Sequence, residues 1–171
     1  NILKGAFLRN KILLIEKLFL TQFNVISSIS KGMINKIKSK VFDKKKIYYF
    51  PNFIETKKFT FNIPRKEDNP FYNSLDLKDK PFVVMYSGTL NEKLSYKSLV
   101  ESIIELKDVE NILWIISGQG PIKDLLVEKL VGIKNVRILP FQPLEKLPLW
   151  LNLADIHIIP QKLSVSDLVL R

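Results

Sequence analysis

The 171-residue chain has no cysteine and a single histidine, His157. The first absence excludes disulfides and thiolate metal sites, and fits a reducing compartment. The second excludes a multi-histidine metal cluster, so no metal is expected. Long apolar runs are missing too. Ile12-Leu13-Leu14-Ile15 is broken by Glu16 and Lys17, far short of the ~20 residues that a spanning helix needs. No signal peptide is visible. Negative charge is scarce at the start of the chain. Residues 1–60 hold thirteen Lys and Arg against three Asp and Glu, whereas 61–171 hold fourteen of each. The whole net charge of +10 therefore lies in the first third. A uniformly basic nucleic-acid binder would not be divided this way. A local basic face toward an anionic surface would be, whether a membrane leaflet or a lipid-linked phosphate, and so would plain solvated lysine.

What is present suits a packed α/β protein. Apolar residues make up 46% and charged residues 26%, enough for a core and too ordinary for disorder. The length suggests one domain, or one and a piece of another. Residues Lys11 to Phe23 have helical apolar spacing at Leu14 and Leu18. Asn24–Ser30 reads as a short strand, with Ser30 as N-cap of a helix holding Met33, Ile34 and Ile37. Lys44–Phe50 reads as another strand, closed by the turn signal Pro51-Asn52. These residues, 1–55, read as the tail of one α/β domain. Residues 56–80 carry Pro64, Pro70 and the run Arg65-Lys66-Glu67-Asp68. They read as a linker, with a short helix available at Phe71–Leu77.

From residue 81 to 171 the pattern is regular. Strands are expected at Phe82–Ser87, Ile112–Ser117, Val136–Pro140 and Ile156–Pro160. Helices fall between them, the first using Leu94, Leu99, Val100, Ile103 and Leu106. The next has Pro121 near its start and Gly132 as its stop, and a short one covers Leu144–Leu153. Apolar runs without alternation are what a parallel sheet covered on both faces requires. The βαβ order with right-handed crossovers gives a doubly wound sheet.

Two strand–glycine–helix units carry candidate chemistry. Phe82–Ser87 stops at Gly88-Thr89-Leu90-Asn91-Glu92-Lys93, and Ile112–Ser117 stops at Gly118-Gln119-Gly120-Pro121. A glycine turn beside a helix start offers unpaired N–H groups to a phosphate, and Lys93 adds a full charge. Gly88 also reads as a turn glycine, Lys93 as a solvated lysine, and Gly118 and Gly120 as turn residues facing the same cleft. His157 reads as a core or edge histidine, Asp155 as a turn residue, and Trp114 and Trp150 as core aromatics. Asp167 reads as exposed by its context.

In order and spacing these segments resemble retaining glycosyltransferases of the GT-B fold, family 4, of the colanic-acid and capsular polysaccharide type. The resemblance rests on Val25–Met33, on Ile47–Glu55 with Phe59, and on the Gly88 and Gly118–Pro121 turns. Asn135–Phe141 followed by Leu144–Gln161, with Asp167–Leu170, completes it. It implies the end of an N-terminal acceptor-side domain, a crossover, and most of a C-terminal nucleotide-sugar-binding domain. It implies transfer of a sugar, with retention, from a nucleotide-diphosphate donor to an acceptor hydroxyl, expected on a saccharide or lipid-linked acceptor. Donor-binding residues are expected at Gly88, Thr89, Lys93, Gly118 and Gln119. Pro140 and Phe141 stand where relatives hold the base, and Glu145 reads either as a residue that caps or touches the nucleotide or as a helix-start charge. The donor is a substrate, and no cofactor is expected.

The chain departs from the family in having Thr89 where many relatives have arginine, and Leu94-Ser95 where a glycine usually follows the lysine. The family's glutamate pair would lie beyond Arg171. The start at Asn1 and the end at Leu168–Arg171 read as truncations, so an internal fragment is expected, inactive by itself. A cytoplasmic protein is expected, with peripheral contact between residues 1–60 and an anionic membrane, and no nucleic-acid partner. Two other classes stay open: a non-catalytic nucleotide-binding remnant, and a basic membrane or nucleic-acid interaction module.

Overall fold

A computed structural model of the chain describes residues 2–41, 46–59, 66–77 and 81–163. They form two compact units, one within Asn1–Ile54 and one spanning Glu55–Lys162.

The first unit holds helix α1 (Ile2–Leu20), strand β1 (Ile26–Ser28), helix α2 (Lys31–Lys38) and strand β2 (Ile47–Tyr49). β1 and β2 pair in parallel, Ile26 opposite Ile47 and Ser28 opposite Tyr49. α1 begins well before the expected Lys11, because the strong helix formers Leu, Lys and Arg continue the pattern back to Ile2. Ser30 caps α2 as expected. It has extended backbone, and its hydroxyl oxygen accepts the Met33 N–H at 3.1 Å. The cap explains why the preceding strand is shorter than expected: Ser30 is spent on starting a helix. Of the expected strand at Lys44–Phe50, Lys44 and Lys45 lie outside the described residues. Lys40 pairs with Glu16 at 2.5 Å, tying α1 to the end of α2.

The second unit opens with two single 3₁₀ turns, Thr56–Phe59 and Lys66–Asp68, and helix α3 (Pro70–Ser74). Then follow β3 (Phe82–Ser87), α4 (Tyr96–Glu105), β4 (Ile112–Ser117), α5 (Lys123–Leu130), β5 (Val136–Leu139), α6 (Leu147–Leu151) and β6 (Ile156–His157). The sheet order is β5-β4-β3-β6, and every pair is parallel. Side chains alternate along the two central strands, so each strand feeds two cores. Val84, Tyr86, Trp114 and Ile116 pack with Leu99, Ile103 and Leu126 from α4 and α5. Val83, Met85, Leu113 and Ile115 pack with Tyr72, Leu77, Trp150 and Leu153. Both faces are covered, which is why β3 and β4 read as unbroken apolar runs. Both tryptophans are core aromatics.

The segment read as a linker differs most from expectation. Its helix is there, but Tyr72 and Leu77 are buried in the second core, and Phe71 meets Trp150 edge to face at 5.0 Å. The residue that builds this is Asn69, fully buried. Its Oδ1 accepts the Phe71 N–H at 3.0 Å, capping α3, and its Nδ2 donates to the Leu149 carbonyl at 2.6 Å. Pro70 occupies the first turn, where a missing N–H costs nothing. A buried amide satisfied at both ends fastens α3 to α6. Elsewhere the elements shorten. α4 starts at Tyr96 rather than near Leu94, and α6 covers only Leu147–Leu151. β6 keeps two of its five expected residues, because it is the edge strand with a single neighbour. Gly132 follows α5 with φ +81, as a C-terminal stop requires.

Candidate functional site

In an open parallel sheet, ligands bind beyond the carboxyl ends of the strands, where the strand order reverses. Here the chain moves outward from β3 through β4 to β5, then returns to place β6 on the other side of β3. The reversal falls between β3 and β6. The loops at that point are Gly88–Ser95 and the stretch following His157.

These loops are bound to one another. The Ser95 N–H donates to the Pro160 carbonyl at 2.8 Å, and the Lys162 N–H to the Lys93 carbonyl at 3.0 Å. Between them Leu94 and Gln161 form an antiparallel bridge. Lys93 is fixed at its N–H as well, which donates to Asn91 Oδ1 at 2.9 Å. Its backbone is thus held at both ends while its side chain stands exposed. This corrects one expectation. Lys93 is not in a helical first turn, because α4 begins at Tyr96. The Asn91 side chain folds the loop into an Asx turn first, and Leu94 enters the core ahead of the helix.

The glycines correct a second expectation. The Gly88 N–H donates to the Ser117 carbonyl at 2.9 Å, and the Gly118 N–H to the Leu139 carbonyl at 3.0 Å. Neither amide is left for a phosphate. Both glycines act through the side chain they lack. A Cβ on Gly118 would lie 2.1 Å from the Gly88 carbonyl oxygen, and one on Gly120 would lie 2.2 Å from the Leu90 carbonyl oxygen. Gly120 also has φ +150. The β3 and β4 loops therefore pack backbone to backbone. Further bonds seal them, from the Leu90 N–H to the Gln119 carbonyl at 2.9 Å and from the Ile122 N–H to the Leu90 carbonyl at 3.1 Å.

Among the described residues, one amide of the four from Gly88 to Asn91 has no acceptor, that of exposed Thr89. The Thr89 carbonyl, by contrast, accepts twice, from the Asn91 N–H at 3.0 Å and from the Tyr86 hydroxyl at 2.9 Å. Burial pushes the Tyr86 phenol above its ordinary 10.0. Gln119 is exposed, and its Oε1 accepts from Lys123 Nζ at 3.4 Å. At the end of β5 the Pro140 carbonyl accepts the hydroxyl of fully buried Ser117 at 2.9 Å. Phe141 beyond it is 46% exposed. Glu145 is exposed in the turn before α6.

The remaining candidates serve the fold. Asp155 accepts the Val83 N–H on Oδ2 at 2.6 Å, and its own N–H donates to the Val83 carbonyl at 2.9 Å. It clips the start of β3, at the opposite end of the strand from Gly88. His157 is an exposed edge residue whose Nε2 lies 2.9 Å from the Leu151 carbonyl. Asp167 lies outside the described residues. Sequence reasoning missed Tyr86, Asn91 and Ser117. A polar-tipped aromatic two residues before a strand-ending glycine, and an asparagine two residues before a lysine, were the available signals.

A scan of protein-family profiles matches none to the chain. In sequence the chain is 32% identical over 148 residues to the colanic acid biosynthesis glycosyl transferase WcaI of Escherichia coli (strain K12). That match covers 85% of the chain and 36% of WcaI, so the chain spans about a third of its relative's length. In structure it is similar to Anabaena HepE, crystallised with UDP and glucose, at a TM-score of 0.69 and 13% identity, over 85% of the chain and 40% of HepE. It is also similar to WaaG, a glycosyltransferase involved in lipopolysaccharide biosynthesis, at 0.63 and 16%, over 79% of the chain and 37% of WaaG. A third likeness is to the sucrose-phosphate synthase of Thermosynechococcus elongatus, at 0.66 and 16%, over 92% and 41%. The parallel sheet, its paired glycine turns and these likenesses agree: the chain has the fold of the GT-B glycosyltransferases, and its sequence is similar to that of a glycosyl transferase of polysaccharide biosynthesis.

Proposed function

We propose that the protein transfers a sugar from a nucleotide-diphosphate donor to an acceptor hydroxyl, with the donor held by the second unit. The observation that carries this reading is the coincidence, at the reversal of strand order, of a free amide on Thr89 and a pinned lysine at Lys93. As the glycosidic bond breaks, negative charge grows on the departing diphosphate. Preorganised N–H groups and cations aimed at that charge lower the barrier. A lysine whose backbone is fixed before the donor arrives loses less entropy on binding it than a free one would. Phe141 offers an open ring face at the end of β5, suited to a nucleobase, with Pro140 beside it and Gln119 and Glu145 as polar neighbours. HepE, similar in fold, was crystallised with UDP and with UDP-glucose, which favours a uridine donor. The nucleotide sugar is a substrate in this reading, and no metal or cofactor is invoked.

The likeness to WcaI favours polysaccharide assembly; a saccharide or lipid-linked acceptor, and retention at the anomeric carbon, are what the resemblance of the sequence motifs implies. We assign the first unit to the end of the acceptor-side domain and the second to the donor-binding domain. In a turnover assay on protein of full natural length, UDP or GDP should be released from the matching nucleotide sugar only when acceptor is present. No release from any such sugar with cell-derived lipid-linked acceptors would count against transfer.

A cytoplasmic protein in peripheral contact with an anionic membrane fits the same reading. The +10 excess within residues 1–60 supplies attraction to acidic lipid. No described helix is long and apolar enough to span a bilayer. α1 exposes Leu13, Leu14 and Ile15 in succession, so it lacks the single apolar face of a surface-lying helix. The contact proposed is the electrostatic one. The protein should co-sediment with phosphatidylserine vesicles at ~50 mM salt and be released by ~0.5 M salt, where screening is short-ranged. Retention on the vesicles at high salt would contradict an electrostatic contact.

A further inference from the structure

We propose that Tyr86 is a positioning residue for the donor's diphosphate, holding the loop that presents the free Thr89 amide. The inference rests on the donor reading above and adds a residue that the sequence motifs did not single out.

Three observations carry it. The Tyr86 hydroxyl donates to the Thr89 carbonyl at 2.9 Å, three residues further along the same chain. A strand residue thus reaches over its own terminating glycine to fasten the next residue. Second, Gly88 is the residue that makes room. A Cβ there would lie 2.9 Å from the Tyr86 hydroxyl oxygen and 3.1 Å from the ring carbon that bears it. Strand, glycine and loop are therefore fitted to one another around the phenol. Third, the neighbouring amides are all spent on this packing: Gly88 donates to Ser117, Leu90 to Gln119 and Asn91 to Thr89. Thr89 alone keeps its N–H for a ligand among these described residues.

The two donors on the Thr89 carbonyl hold the Thr89–Leu90 peptide. The Thr89 N–H lies in the preceding Gly88–Thr89 peptide, whose Gly88 carbonyl is packed against Gly118 and whose Gly88 N–H is bonded to Ser117. With the peptide after Thr89 held through Tyr86 and the one before it held by packing, the amide keeps its direction before the donor arrives, which is the form of preorganisation that favours anion binding. Tyr86 itself does not touch the donor. Its ring is in the core beside Val84, Trp114 and Ile116, and only its hydroxyl serves the loop.

The test compares Tyr86→Phe with wild type at full natural length, titrated with UDP, GDP and the matching nucleosides, with thermal melting measured alongside. The substitution keeps the ring and deletes one hydroxyl. One ordinary hydrogen bond corresponds to roughly a two- to tenfold change in affinity. Affinity for the diphosphate should fall by about fivefold, while affinity for the nucleoside stays at the wild-type value. Equal losses for diphosphate and nucleoside would show a merely structural role and overturn the inference. So would an unchanged diphosphate affinity. Wild-type protein that binds neither diphosphate would overturn the donor reading itself, and the inference with it.

Discussion

Replacing Gly118 or Gly120 by alanine should cost about 3 kcal/mol of folding stability, a large share of the ~5–15 kcal/mol typical of a domain. The added methyl group would lie 2.1 Å from the Gly88 carbonyl oxygen in one case and 2.2 Å from the Leu90 carbonyl oxygen in the other. Both obstacles are backbone atoms, so no rotamer change relieves them. Nor can the opposing loop retreat freely. The Gly88 N–H is bonded to Ser117, the Leu90 N–H to Gln119, and the Leu90 carbonyl accepts from Ile122. Moving one loop away from the other breaks these bonds and leaves buried groups unpaired. Gly120 adds a φ of +150, which an L residue rarely adopts. Gly132 supplies the comparison. It has φ +81 but nothing within 4 Å of an added Cβ. Alanine there should cost only about 1 kcal/mol, the conformational term by itself. Denaturant unfolding of the three variants should separate Gly118→Ala and Gly120→Ala from Gly132→Ala. Equal midpoints for all three would show that the two loops are not packed as described.

The second large effect is expected at Lys93, and it falls on binding instead of stability. The side chain is exposed, and its backbone is held by Asn91 Oδ1 and by Lys162. Lys93→Ala leaves those backbone bonds in place. The melting temperature should therefore remain near wild type while affinity for a nucleoside diphosphate falls by about tenfold, the ~1.4 kcal/mol of one charge-assisted contact at an open surface. The loss should narrow as salt is raised, because an exposed charge contact is screened. A variant that melts early and binds weakly to the same degree would mean that Lys93 serves the fold.

How much of this was legible in the sequence depends on how local its cause is. β3 and β4 were found at their observed boundaries, Phe82–Ser87 and Ile112–Ser117. A strand buried on both faces must be apolar at every position, and that is visible without any partner. Ser30 was legible for the same reason, since a cap acts within three residues. The start of α4 was not. Leu94 reads with the apolar residues Leu99, Val100 and Ile103 of the helix, but its burial comes from a loop folded by Asn91 and fastened to Pro160–Lys162, contacts made across some seventy residues. The role of the glycines was half legible. Their presence at strand ends pointed to a ligand crevice. That they exist to let two backbones touch is a property of the pair, which neither turn shows alone. Asn69 was invisible as a clamp because its second partner, Leu149, is eighty residues away. The likeness of Pro140 and Phe141 to base-holding positions came from family pattern; both residues are exposed at the end of β5.

The central claim is that the loop at the end of β3 binds a nucleoside diphosphate. Calorimetric titration of the protein at full natural length, against UDP, GDP and their glucose conjugates, tests it most directly. The account predicts saturable binding of at least one of them in the micromolar range, weakened about tenfold in Lys93→Ala. No heat of binding from any of the four, with the protein folded, would contradict it.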